Sequence, residues 1–191
     1  MGSSGSRANT SPGPESEMAR IRPALPEDAD AIAHVHVLSW QSTYRGLIPQ
    51  DILDDLSVEQ RKDWWQRTIT GPSQNEVLVV DDAGQLVGFA GYGSERAGNR
   101  VYRGELLAIY LLEQHQRKGW GRSLVRAAAQ GLLKRGITSM LVWVLSDNPS
   151  RYFYEKLEAV YLRQKPLEIG GVLYQESAYG WADIHSLAAA I

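Results

Sequence analysis

The 191-residue sequence contains no cysteine. Disulfide bonds, thiolate metal sites and a cysteine nucleophile are therefore excluded, and the composition fits a reducing compartment, so we predict a cytoplasmic location. The 4 histidines lie at spacings that match no common metal-ligand pattern, and no metal site is expected. No apolar run reaches the ~20 residues that a membrane-spanning helix needs, so we expect no membrane partner.

A large charge of one sign is also lacking. The 20 Lys and Arg residues nearly balance the 22 Asp and Glu residues, which gives a formal net charge of −2. This balance argues against a nucleic-acid partner bound by bulk electrostatic attraction. Apolar residues make up 43% of the chain and charged residues 22%, which is typical of a globular domain.

The length suits one domain flanked by short tails. Residues 1–17 are rich in Gly, Ser and Pro and lack the apolar segment of a signal peptide. We interpret them as a disordered tail or an expression remnant. Residues 18–185 are assigned to the single domain, and residues 186–191 to a C-terminal tail.

Hydrophobic periodicity predicts alternating strands and helices. Strands are predicted over residues 19–24, 76–80, 86–93, 104–112, 139–145, 160–166 and 172–180. Helices are predicted over residues 26–44, 50–56, 57–70, 119–135 and 150–157. This order indicates an α/β (α+β) three-layer domain with a mixed central sheet of about seven strands, flanked by helices.

The segment Gln116–Gly121 is the most informative motif of the chain. It follows an apolar strand and opens an amphipathic helix, so unpaired backbone N–H groups would point outward at the positive end of the helix dipole. Such a turn binds phosphate well. The P-loop pattern is absent, and the Rossmann fingerprint fails because Leu124 stands where its third glycine would be. What remains is Gln-x-x-Gly-x-Gly between a strand and a helix.

With Asn148 and Tyr154 downstream, this motif resembles that of the GNAT acyltransferase family, which binds acetyl-coenzyme A at this turn. The resemblance covers most of residues 20–182. IYLLEQHQRKGWGRSLV is similar to the family's pyrophosphate-binding segment, and NPSRYFYEKL to its Asn followed by a Phe-Tyr-Glu-Lys helix. WQSTYRGLIP and YGW resemble a broad bacterial subgroup of acetyltransferases. The implied fold has a sheet splayed between its fourth and fifth strands.

The resemblance implies that acetyl-CoA is the co-substrate and that no metal takes part. The pantetheine arm would lie in the splay and pair with the strand backbone like an added edge strand. The pyrophosphate would rest on the glycine turn, and Asn148 would bind the pantetheine region. The residues assigned to coenzyme A in this way are Leu111, Leu112, Gln116, Arg117, Lys118, Gly119, Trp120, Gly121, Arg122 and Asn148.

The chemistry of acetyl transfer needs few further groups. By the same resemblance, Tyr154 would lie near the thioester sulfur and protonate the departing thiolate. The acceptor amine must be neutral to attack, so a carboxylate must take its proton, often through water. Glu105 precedes the strand expected to carry the acetyl group and is the candidate base. An N–H near Leu111 or Leu112 would stabilise the oxyanion.

Each assignment has a structural alternative that the sequence leaves open. Tyr154 could be a half-buried aromatic residue on an amphipathic helix, and Asn148 a turn residue. Glu105 could be solvated or paired with Arg103. The aromatic residues Trp40 and Tyr44 lie beside the Arg45-Gly46 break, which borders the acceptor pocket in this family. They are candidate substrate contacts, with a place in the core as the alternative.

Glu158 departs from the family pattern, because glycine is usual at that position. If it follows a helix with φ > 0, glutamate there costs on the order of 1 kcal/mol. Trp120 also replaces a smaller aliphatic residue, and it is expected to pack under the helix or to shield the diphosphate.

Two classes of function follow. The first is an acetyl-CoA-dependent N-acetyltransferase acting on a small-molecule or peptide amine, with Tyr154 as acid and Glu105 as base. The second is a non-catalytic acyl-CoA-binding or sensing domain on the same fold. A homodimer contact through the last strand and the C-terminal tail also stays open.

Overall fold

A computed structural model describes residues 19–72 and 75–189. The predicted tail at residues 1–17 lies outside this part of the chain. The strands are β1 Arg20–Pro23, β2 Glu76–Asp82, β3 Gln85–Ser94, β4 Gly104–Leu111, β5 Met140–Leu145, β6 Val160–Ile169 and β7 Val172–Trp181. The helices are α1 Ala29–Thr43, α2 Gln50–Asp54, α3 Val58–Thr70, α4 Trp120–Lys134, α5 Arg151–Lys156 and α6 His185–Ala189.

The strands form one mixed seven-stranded sheet in the order β1-β2-β3-β4-β5-β7-β6. All neighbours are antiparallel except β4 and β5, which pair in parallel. This pairing covers Gly104–Leu106 with Met140–Val142. Within residues 75–189 no further pairs join the two strands, although β4 continues to Leu111 and β5 to Leu145. The sheet is therefore splayed between its fourth and fifth strands, and the predicted fold class is confirmed.

Helices cover both faces of the sheet. On one face, His36 of α1 contacts the Phe89 ring of β3 with centroids 5.5 Å apart. On the other face, Tyr92 of β3 lies against Gly131 of α4. The α4 side chains buried against this face recur at helical spacing, as the sequence pattern predicts. They are Leu124, Val125, Ala128, Ala129 and Leu132.

Local start and stop signals bound two of the helices. The Ser57 hydroxyl accepts the Gln60 N–H at 3.2 Å and caps α3. Gly136 ends α4 with φ +71, which an L-residue adopts only at a cost. Such caps satisfy backbone groups that each helix end would otherwise leave unpaired.

The end of the chain packs onto the domain. Leu187 and Ala188 of α6 are buried, and the Gln130 side chain of α4 donates to the Ala188 carbonyl at 3.0 Å. Residues 186–189, assigned from the sequence to a C-terminal tail, thus belong to this helix.

A β-bulge interrupts β4 beside the splay. Gly91 pairs with Ala108 and Tyr92 with Leu106, so Leu107 is the extra residue on β4. A bulge redirects the side chains around it and bends the strand. Here it turns both Leu107 and Ala108 towards the α1–α3 face.

Glu158 follows α5 with φ +65, in the left-handed region that glycine adopts more readily, so the condition for its cost is met. The neighbouring Ala159 N–H donates to the Tyr154 carbonyl at 3.0 Å, which closes the helix end. We expect Glu158→Gly to raise the free energy of unfolding by about 1 kcal/mol, because glycine removes the Cβ penalty. Urea denaturation measures this change.

A matched control uses the same helix. Lys156 is exposed and has ordinary helical backbone, so Lys156→Gly should lower the free energy of unfolding by up to about 1 kcal/mol. Equal effects of the two glycine substitutions would contradict the assignment of strain to Glu158.

Candidate active site

The separated ends of β4 and β5 enclose a cavity of about 430 Å³. Its walls come from both strands, from the turn before α4, from the end of α1 and from α5. The lining residues include Tyr44, Ile109, Tyr110, Leu111, Gln116, Arg117, Gly119, Gly121, Arg122, Trp143, Asn148, Phe153 and Tyr154.

The turn before α4 presents backbone donors to this cavity. Gly119 is the N-cap, with φ +89, and it has no side chain to cap the helix. The first bond within the helix joins the Ser123 N–H to the Gly119 carbonyl at 3.1 Å. The N–H groups of residues 120–122 therefore lie at the positive end of a 15-residue helix. This arrangement suits a pyrophosphate.

The side chains of the turn divide into two groups. Arg117 and Arg122 line the cavity and add positive charge, and Arg117 holds φ +58. Lys118 is exposed and does not line the cavity. Trp120 is half-buried and packs against the core, which is the first of its two predicted roles.

The open edge of β4 is fixed by its pairing with β3. The Leu112 N–H donates to the Val87 carbonyl at 2.9 Å, so the backbone N–H and C=O of Leu112 point towards β3. The Leu112 side chain lies in the core. Backbone groups alternate in direction along a strand. Ile109 and Leu111 therefore turn their N–H and C=O groups into the splay, and the Gln116 side chain donates to the Leu111 carbonyl at 3.2 Å.

Tyr154 lies on α5 at the wall of the cavity and is 5% exposed. Its ring packs between those of Phe153 and Trp181. Burial, with a smaller effect of the Tyr44 hydroxyl, raises the pKa of Tyr154 well above its usual value. The phenol thus keeps its proton at neutral pH, which is the state that a general acid requires.

Further hydroxyl groups meet beside Tyr154. The Tyr44 and Tyr110 hydroxyls lie 3.1 Å apart, and burial raises the pKa of both. The Asn148 side chain lies near the Tyr44 hydroxyl, and its oxygen accepts the Ser150 N–H at 2.8 Å. Asn148 therefore lies between the turn that begins α5 and the end of α1. Trp40 packs edge-on against Tyr44 with ring centroids 4.8 Å apart, but it does not line the cavity.

Glu105 occupies the paired part of β4, where its side chain is 2% exposed. Its carboxylate is held by Arg96, not by Arg103. Arg96 Nη2 donates to Oε1 at 2.6 Å, and its Nε and backbone N–H each donate to Oε2 at 3.2 Å. Glu105 lies next to the bulge but does not line the 430 Å³ cavity.

Several residues at this site carry no signal in the sequence. Arg96 is nine positions from Glu105 in a polar loop, and Trp143 lies in a continuous apolar run. That the Ile109 backbone faces the splay can be recognised only once the pairing of β4 with β3 is known. Tyr110 could have been found, because its alternation with Ile109 and Leu111 places it on the opposite face of the strand.

Among the described residues, no cluster of His, Cys, Asp or Glu could hold a metal ion. In the same part of the chain, none of the helices is both long and apolar enough to span a bilayer.

Comparison with known proteins agrees with this geometry. The FR47-like protein family model matches residues 97–165, which include β4, the glycine turn and α5. The uncharacterized N-acetyltransferase YuaI of Bacillus subtilis (strain 168) is 40% identical over 171 residues, which span 89% of this chain and 96% of YuaI.

Solved structures share the fold. A GCN5-related N-acetyltransferase from Rhodopseudomonas palustris superposes with a TM-score of 0.68 at 20% identity, over 88% of this chain and 98% of that chain. The PaiA N-acetyltransferase from Thermoplasma acidophilum, in complex with coenzyme A, superposes with a TM-score of 0.61 at 20% identity. The match covers 83% of this chain and 97% of that chain.

The splayed sheet, the glycine turn before α4 and the extended similarity to YuaI define the class of protein. The chain belongs to the GNAT family and is an N-acetyltransferase.

Proposed function

We propose that this protein transfers the acetyl group of acetyl-CoA to a primary amine. The observation that carries the proposal is the continuity of one cavity from the glycine turn, along the open edge of β4, to the Tyr154 hydroxyl. A diphosphate, an amide-containing arm and a thioester follow one another in the same order along acetyl-CoA. PaiA, which has the same fold, is in complex with coenzyme A.

We assign the turn to the pyrophosphate, through the N–H groups of residues 120–122 and the charges of Arg117, Lys118 and Arg122. The backbone N–H and C=O groups that Ile109 and Leu111 turn into the splay would form hydrogen bonds with the pantetheine amides. Asn148 would act chiefly by holding the start of α5 in place beside Tyr44.

In the proposed reaction, the amine nitrogen forms a bond to the thioester carbonyl carbon, and the carbon–sulfur bond then breaks. An N–H on the open edge of β4 stabilises the oxyanion. Tyr154 gives its proton to the departing sulfur and is reprotonated from solvent. Glu105 takes the proton of the amine through water, with Arg96 keeping its carboxylate oriented.

The first experiment tests the donor and the reaction together. Isothermal titration with acetyl-CoA measures binding, and thiol release in the presence of an amine panel measures transfer. Acetyl-CoA binding with thiol release is the expected result. Binding without acetylation of any amine would favour the acyl-CoA-sensing alternative, and absence of binding would contradict the proposal.

Glu105→Gln tests the base. The substitution retains the shape of the side chain but removes its capacity to accept a proton, so we expect kcat/KM for the amine to fall about 10²-fold near neutral pH. The loss should shrink as the pH approaches the pKa of the amine, because an amine that is already neutral needs no base. Thiol-release rates across this pH range measure the effect.

Glu168→Gln removes an exposed carboxylate from β6 and is the matched control, with no expected change in rate. A Glu105→Gln defect of equal size at every pH would assign Glu105 a structural role instead.

A further inference from the structure

A second cavity, of about 370 Å³, lies on the opposite side of the β4 bulge from the glycine turn. It is formed between α3 and the central strands of the α1–α3 face. Leu107 and Ala108 line both cavities, so the two cavities adjoin at the bulge. A group bound in the second cavity would approach the thioester end of the first without crossing the pantetheine slot.

The charge presented to this second cavity is positive. Arg67 and Arg96 line it. The Arg96 side chain is 65% exposed, whereas its partner Glu105 is 2% exposed, so the cavity meets the guanidinium and not the carboxylate. Glu76 also lines the cavity, but it pairs with Tyr92 in register, and its carboxylate accepts the Tyr92 hydroxyl at 2.6 Å on the α4 face.

The guanidinium of Arg96 has an unused side. Nε and Nη2 face Glu105, at 3.2 and 2.6 Å. Within the described part of the chain, Nη1 has no hydrogen-bond partner. A planar guanidinium can bind carboxylates along two edges, so the edge formed by Nη1 and Nη2 can hold a second carboxylate while the first stays in place.

We propose that the second cavity binds the acceptor and that this acceptor is a small amine carrying a carboxylate, held by the outer edge of Arg96 and by Arg67. The inference rests on the proposed acetyl transfer and names its substrate class. Because Arg96 binds Glu105 directly, a carboxylate on its outer edge brings the attached amine close to the candidate base and to the bulge. Trp64, which is 45% exposed, provides an apolar wall for the body of the acceptor.

Matched acceptors test this proposal. Thiol release is measured with the common α-, β- and γ-amino acids, each beside its carboxamide and its decarboxylated amine. We expect kcat/KM for the preferred acid to exceed that of its carboxamide by about 10-fold to 100-fold. Arg96→Gln should remove most of this preference through KM for the acid, and Arg100→Gln, an exposed arginine of the same loop, should not.

Filling the cavity gives an independent readout. Gly91 lies on its floor, and a Cβ there would come no closer than 4.0 Å to the Leu107 side chain. Gly91→Val should therefore raise KM for the amine about 10-fold or more and leave the Kd of acetyl-CoA, measured by calorimetry, within about twofold.

The outcomes separate the two proposals. Acid preference that depends on Arg96 supports this inference. Equal use of acid and carboxamide, preference for the decarboxylated amine, or acetyl-CoA binding with no carboxylate-bearing amine acetylated would overturn it. Failure of acetyl-CoA to bind the unmodified protein would instead overturn the proposed function.

Discussion

Tyr154→Phe is expected to lower kcat by about 10²–10⁴-fold while acetyl-CoA binds with unchanged Kd. The substitution removes one hydroxyl from a ring whose packing against Phe153 and Trp181 is otherwise retained. Without the phenol, the thiolate must leave unprotonated or take its proton from water, and both routes are slower. Pre-steady-state thiol release and calorimetry with acetyl-CoA measure the two quantities separately.

The raised pKa of Tyr154 also determines the pH dependence of this step. Burial keeps the phenol protonated above its usual range, so the proton remains available on the alkaline side of neutrality. Activity should therefore show no loss from Tyr154 titration at mildly alkaline pH.

Tyr152→Phe is the matched control, because Tyr152 lies on the same helix and its side chain faces solvent, 50% exposed. It should leave kcat within about twofold. A Tyr154→Phe enzyme as fast as the unmodified enzyme would remove Tyr154 from the mechanism, and a large rise in the Kd of acetyl-CoA would assign it to binding instead.

Gly121→Leu is expected to weaken acetyl-CoA binding by more than about 100-fold. A Cβ at Gly121 would already lie 3.3 Å from the Phe153 ring and 3.8 Å from the Leu111 side chain, at the wall of the cavity. A leucine would fill the space in which the donor approaches the N–H groups, and those lost charge-assisted bonds each contribute roughly 1.5–3 kcal/mol. Calorimetry measures the loss.

Gly121→Ala should have an intermediate effect, because Phe153 is half-buried and can shift by a few tenths of an ångström. Lys134→Leu adds the same side chain at the exposed far end of α4 and should leave binding unchanged. Normal acetyl-CoA binding by Gly121→Leu would exclude this turn as the pyrophosphate site.

The parts of the fold that depend on residues close to one another in the sequence were predictable. The apolar period of α4, the Ser57 cap and the glycine at Gly136 act within a few positions of the chain, so the sequence alone indicates them. The prediction that the turn at Gly119 binds an anion has the same origin. The sequence indicated that Glu158 would be costly if its φ were positive, because glycine is usual at this position in the family, and the structure gives φ +65.

The surroundings of Glu105 were not predictable in the same way. The sequence offered Arg103, two positions away, as an ion-pair partner, whereas the β3–β4 loop brings Arg96 to the carboxylate. Arg103 lies just before β4, whereas the loop between β3 and β4 folds back and places the Arg96 guanidinium 2.6 Å from the Glu105 carboxylate. The backbone direction of Leu112 likewise depends on its register with Val87, which residue types do not encode.

The sequence by itself determined the order of the elements and the family, because these follow from local spacing and composition, and it predicts a phosphate-binding turn before α4. Tertiary structure alone decided which strand edge stays open, which arginine holds Glu105, and that a second, positively charged cavity meets the first at the bulge. These features join residues distant in the chain, and their positions depend on sheet register and on a single extra residue in β4.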